Sequence, residues 1–222
     1  MHCFRSRVLL VVLATLLLIP LDSFALDTPL SDTAVREAYF IGQRHDESLP
    51  KLLEKYTRHL PIPKTGPYIQ SVTFLTPYAF VALNSSQHIG IYSAQQAQLD
   101  HKSQPEFVRI TVEISLTPTY GPYIAPPLEA HSSTPNPVTV RSSEFWKDFR
   151  IRAFNKDDFV IPIASKGEST NFCSDRGECT LSGAIVTFDY PAGAFTNDTA
   201  TIQIDPPEGD SVVVEFNLNS LR

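Results

Sequence analysis

Residues 107–116 read FVRITVEISL. Val108, Ile110, Val112, Ile114 and Leu116 alternate with Phe107, Arg109, Thr111, Glu113 and Ser115. Successive side chains of a strand point to opposite faces, so this period of two predicts a strand with one apolar face and one wetter face. The same reading extends outward in both directions. Upstream, Ile69, Ser71, Thr73 and Leu75 alternate with Gln70, Val72, Phe74 and Thr76, and a turn at Pro77 leads into YAFVAL, residues 78–83, expected as a further strand. A short strand is also expected at 89–94. Downstream, strands are expected at 137–140, 149–154, 159–163, 184–190, 199–204 and 211–218, separated by Pro and Gly turns. In the stretch 149–154, Arg150 and Arg152 share a face with Phe154 and are expected to meet acidic neighbours.

Short strands at this spacing, with no long helices between them, predict a mainly β protein. The expected architecture is an antiparallel β-sandwich, immunoglobulin-like in layout only, since the Cys-Trp-Cys spacing of an antibody domain is absent. An N-terminal helical hairpin precedes it. Ser31 or Asp32 can cap a helix running to Arg44, with Val35, Ala38, Tyr39 and Ile41 along one side. Pro50 suits the first turn of a second helix, in which Leu49, Leu52, Leu53, Tyr56 and Leu60 recur at helical intervals until Pro61 and Pro63 stop it. The apolar stripe is expected to rest on the sheet that follows.

Before these elements lies MHCFRSRVLLVVLATLLLIPLDSFALD, the start of the chain. Arg5 and Arg7 precede an apolar run from Val8 to Ile19, Pro20 breaks it, and Ser23-Phe24-Ala25 offers small residues for a cut after Ala25. That apolar run is short of the roughly 20 residues a membrane-spanning helix needs. Residues 1–25 therefore read as a removable export signal, 26–66 as a helical segment packing on the main domain, and 67–222 as the β-sandwich domain. Cys3 lies ahead of the apolar run, so no cysteine is placed for acylation. The expected location is secreted or periplasmic, without stable membrane insertion after signal cleavage.

Cleavage leaves 16 basic and 23 acidic side chains, a formal net charge of −7. No run of Lys or Arg offsets this acidity, which argues against nucleic acid as a partner. Two cysteines remain, Cys173 and Cys179, bracketing Ser-Asp-Arg-Gly-Glu. In an oxidising compartment they are expected to form a local disulfide. The C-x5-C spacing is not that of a thiol–disulfide exchanger, and two thiolates alone do not complete a zinc site.

Residues 117–137, TPTYGPYIAPPLEAHSSTPNP, carry six prolines that exclude a helix and read as a stiff surface loop. Tyr120 and Tyr123 within it, with Trp146 beyond it, form the candidate ligand platform, because aromatic faces stack on sugar rings. Asp205, Glu208 and Asp210 put three carboxylates on one turn, a weak candidate for part of a calcium shell. No nucleophile elbow, zinc-protease helix or phosphate loop is present, so no catalytic residue and no cofactor are assigned. Asn84 and Asn197 open sequons expected on loops. The resulting expectation is an exported, noncatalytic interaction protein with an unidentified protein or cell-envelope partner. The alternative is a carbohydrate-binding or carbohydrate-hydrolysing module using the aromatic residues and a carboxylate.

Overall fold

The computed structural model describes residues 26–88, 90, 92–124 and 139–222. The stretch read as an export signal, Ile89, Ile91 and the middle of the proline-rich connection lie outside the described residues. The described chain is mainly β, with two antiparallel sheets and four α-helices.

The first sheet is built around FVRITVEISL. This strand, β3 (Phe107–Leu116), pairs with β2 (Pro67–Leu75) on one side and with β9 (Cys179–Pro191) on the other. The three-residue β1 (Thr57–His59) closes one edge, and β8 (Ala164–Cys173) forms the other, giving the order β1-β2-β3-β9-β8. The alternation holds in β3: Val108, Ile110, Val112 and Ile114 are buried, and the opposite row is half-buried. In β2 the alternation switches phase. Register slips between Ile69 and Ser71, so Ile69 faces the core before the bulge and Val72 and Phe74 face it afterwards.

The second sheet has the order β11-β10-β6-β7, from β6 (Arg150–Asn155), β7 (Asp158–Val160), β10 (Thr199–Asp205) and β11 (Val212–Asn217). β6 and β7 are joined by a tight turn in which Lys156 takes a positive φ of 59°. Arg152 meets Asp205 across β6 and β10 at 2.6 Å, the acidic neighbour expected from the sequence. A separate two-stranded ribbon joins β4 (Tyr123–Ile124) to β5 (Thr139–Val140). Both sheets feed one buried cluster: Val72, Phe74 and Ile110 from the first, Ile202, Ile204 and Phe216 from the second. The Phe74 and Phe216 rings meet there with centroids 5.3 Å apart.

The helices depart from the sequence reading in three places. α1 (Asp32–Gln43) is capped by Ser31 as expected, its hydroxyl accepting from the Ala34 amide. α2 (Ser48–Lys55) ends before Tyr56, and the expected last turn is instead β1, hydrogen-bonded to β2. The YAFVAL segment is no strand. It lies in α3 (Pro77–Gln87), begun by Thr76, whose hydroxyl accepts from the Ala79 amide, and by Pro77, whose fixed φ suits a first helical turn. Of the expected strand at 89–94, Ile89 and Ile91 lie outside the described residues, Tyr92 and Ser93 are irregular, and Ala94 begins α4 (Ala94–Lys102) under a Ser93 cap.

The stripe of α1 consequently packs on helices. Ala34, Val35 and Ala38 share a second buried cluster with Tyr78, Val81 and Ala82 of α3 and Ala97 of α4. Close approach is allowed by Gly42, where an added methyl would collide with the Ala82 carbonyl. Tyr56 ties β1 to the far end of the chain, its hydroxyl donating to the Arg222 carbonyl and accepting from the Arg222 amide.

Candidate functional site

Cys173 and Cys179 form the expected disulfide. The bond does more than close a loop. Cys173 and Cys179 are register partners at the last rung of the β8–β9 hairpin, so it locks the end of a ladder that runs back to Ala164 and Asp189. β8 is the longest edge strand among the described residues, ten residues against three each for β1 and β7 and six for β11. At about 3.4 Å per residue it presents some 34 Å of backbone. Among the described residues β9 is the sole strand paired with it, and most of its side chains are exposed.

The two faces of β8 differ. Gly167 and Ser169 stand opposite Val186 and Ala184, whose side chains enter the core, and so mark the inner face. Lys166, Glu168 and, by parity, Thr170 and Phe172 mark the outer one. Lys166 Nζ lies 3.2 Å from the Glu168 carboxylate, with both side chains mostly in solvent. Phe172 is 70% exposed at one end of the strand. Ile161 and Ile163, 72% and 59% exposed, sit just before its other end.

Trp146 belongs to this region. It sits on a 3₁₀ turn, Phe145–Asp148, anchored by the buried Phe145 and Phe149, and its half-buried indole covers Gly167 on the inner face. A side chain at position 167 would occupy the space of that ring, which accounts for glycine in the middle of a strand.

The other two members of the aromatic trio stand in different settings. Tyr120 is buried, with the Arg141 guanidinium 3.6 Å above its ring. Burial pushes its hydroxyl above the ordinary value; Arg141 pulls it down, and the Glu208 and Asp148 carboxylates push it up. Tyr123 is 61% exposed on the β4–β5 ribbon opposite the equally open Val140.

The acidic turn is divided as well. Asp205 accepts from Ser211 at 2.6 Å, Gln203 at 3.0 Å and Arg152 at 2.6 Å, so both of its oxygens have protein donors. The Ser211 hydrogen bond chiefly holds its carboxyl below the usual range. Glu208 and Asp210 point into solvent, and among the described residues no three His, Cys, Asp or Glu side chains gather where they could hold a metal ion. Asn84 is in α3, where it borders a cavity, instead of the expected loop; Asn197 is half-buried in the connection before β10.

That cavity, about 60 Å³, lies between α3, α4 and the start of β3 and was not foreseen from sequence. His101 Nε2 is 2.8 Å from Glu106 Oε1, which also accepts from the Leu30 amide at 2.6 Å. Tyr92 lies on the same wall, its hydroxyl pushed up to about 12 by burial and then by Asp100. The chemistry is therefore turned inward: the histidine and both carboxylates bind neighbouring protein groups, and the space admits little more than a couple of water molecules.

No family model, curated protein or solved structure matches this chain. No helix among the described residues is long and apolar enough to cross a membrane.

Proposed function

We propose that this chain is an exported, noncatalytic interaction module in which the two sheets pack face to face as a β-sandwich of immunoglobulin-like layout. The open edge of β8 is its working surface. The observation that carries this reading is the length of that edge combined with its lack of a second strand partner among the described residues. Edge strands usually are kept short or covered, because their free N–H and C=O groups invite another strand. Here the edge is long, pinned at its tip by a disulfide, and buttressed from the inner face by Trp146. Pinning reduces the ordering entropy lost when an extended segment adds to the sheet.

Selection of extended peptides from a random linear library on the oxidised mature chain tests the reading, with binding mapped by backbone amide shifts. Shifts concentrated at 164–173 are expected. Peptides that map to the helical cavity or to the β4–β5 ribbon would refute it.

A carbohydrate-binding role is the second reading, favoured by the exposed face of Tyr123 beside Val140, with Arg141 close in sequence. Titration with soluble polysaccharide fragments would then shift the ring resonances of Tyr123 and leave β8 unmoved.

A further inference from the structure

Resting on the open-edge reading, we infer that the occupant of β8 is a second copy of this chain, paired antiparallel across a two-fold axis at Gly167. The charges on the strand select that register. A two-fold pairing that continues the sheet must keep outer faces together, so outer residues can oppose only outer residues. Centring the axis on Lys166 sets Lys166 opposite its own copy, and centring it on Glu168 does the same for Glu168. Like charges directly opposite destabilise a strand pair. Centring on Ser165 or Ser169 leaves both charges facing uncharged positions. The Gly167 axis alone among these sets Lys166 opposite Glu168 of the second copy, twice, using side chains that are already neighbours on one face.

The same axis covers the exposed apolar residues. It brings Ala164 opposite Thr170 and Ser165 opposite Ser169 of the second copy. Phe172, two residues beyond Thr170, then passes the end of the opposing β8 and reaches its 161–163 run, where Ile161 and Ile163 stand out in solvent. Two-fold symmetry makes this contact twice, at both ends of the pairing. An isologous arrangement of this kind closes on itself, and the two five-stranded sheets become one of ten.

Sedimentation equilibrium on the oxidised mature chain reads the proposal directly. The chain is expected to be a concentration-dependent dimer. Lys166→Glu sets four carboxylates at the axis and is expected to weaken dimerisation about tenfold, the effect of reversing two cross-strand charge pairs. The double change Lys166→Glu with Glu168→Lys restores complementarity in this register and is expected to recover the parent affinity. Circular dichroism checks that each variant is folded, and the recovery separates a lost contact from lost folding. A monomer at every concentration, or a dimer indifferent to both charge changes, overturns the inference. A monomer that still takes up linear peptides along β8 would leave the open-edge reading standing, whereas peptide binding elsewhere would remove that reading too.

Discussion

Replacing Gly167 with alanine should act almost entirely through Trp146. The added Cβ would lie under 3.0 Å from three carbons of the indole, where unstrained carbon contacts are about 3.5–4.0 Å. The ring must therefore move by roughly 1 Å, and the short turn that carries it is held by two buried phenylalanines. Overpacking of this kind costs about 1–3 kcal/mol. Removing a glycine from a strand returns about 0.5–1 kcal/mol, so the net loss should be about 1–2 kcal/mol. Once Trp146 is alanine the collision is gone, and Gly167→Ala should become neutral or mildly stabilising. The coupling in the double-mutant cycle is thus about 2 kcal/mol. Urea unfolding of the four proteins followed by circular dichroism measures it, since the tryptophan is single and two of the variants lack it. The emission of Gly167→Ala should also shift to the red as the indole is lifted. An equal cost of Gly167→Ala with and without the indole would refute the packing argument.

Exchanging both Cys173 and Cys179 for serine should cost at most about 2 kcal/mol, because the closed loop is short. Hydrogen exchange should quicken most near 171–180, the end of the β8–β9 ladder. Ser85→Ala should stabilise the chain by about 1 kcal/mol in thermal unfolding, since the buried hydroxyl has no hydrogen-bond partner among the described residues. Tyr190 lies fully inside the core, and burial pushes its hydroxyl up to about 12. Between pH 10 and 12 the unfolded chain loses this proton and the folded chain keeps it, so stability falls as pH rises through that window. The loss should be on the order of 2 kcal/mol and be absent in Tyr190→Phe, as read by urea unfolding at stepped pH.

The sheet was legible where one face is apolar and the other is not. β3 met this condition along its whole length. YAFVAL misled because α3 is buried on several sides: Tyr78, Ala79, Val81, Ala82 and Ser85 are all inside, which erases the helical period. The local signal was present in Thr76-Pro77, a capping hydroxyl followed by proline, and an unbroken apolar run outweighed it. β8 was illegible for the opposite reason. ASKGESTNFC carries little apolar alternation, because its inner face offers a glycine to Trp146 and its outer face meets solvent. Its strand character comes from pairing with β9. The cavity around His101 and Glu106 could not be read either, since the pair spans the end of α4 and the approach to β3 and meets only when the chain turns between them.

The open edge can be read most directly by hydrogen exchange of the β8 amides from micromolar to near-millimolar protein. Amides of Ala164–Thr170 that point away from β9 are expected to exchange quickly when dilute and to slow as the second copy pairs with them, while those bonded to β9 stay protected throughout. Exchange along β8 that is independent of concentration would contradict the assignment of this edge to a second copy.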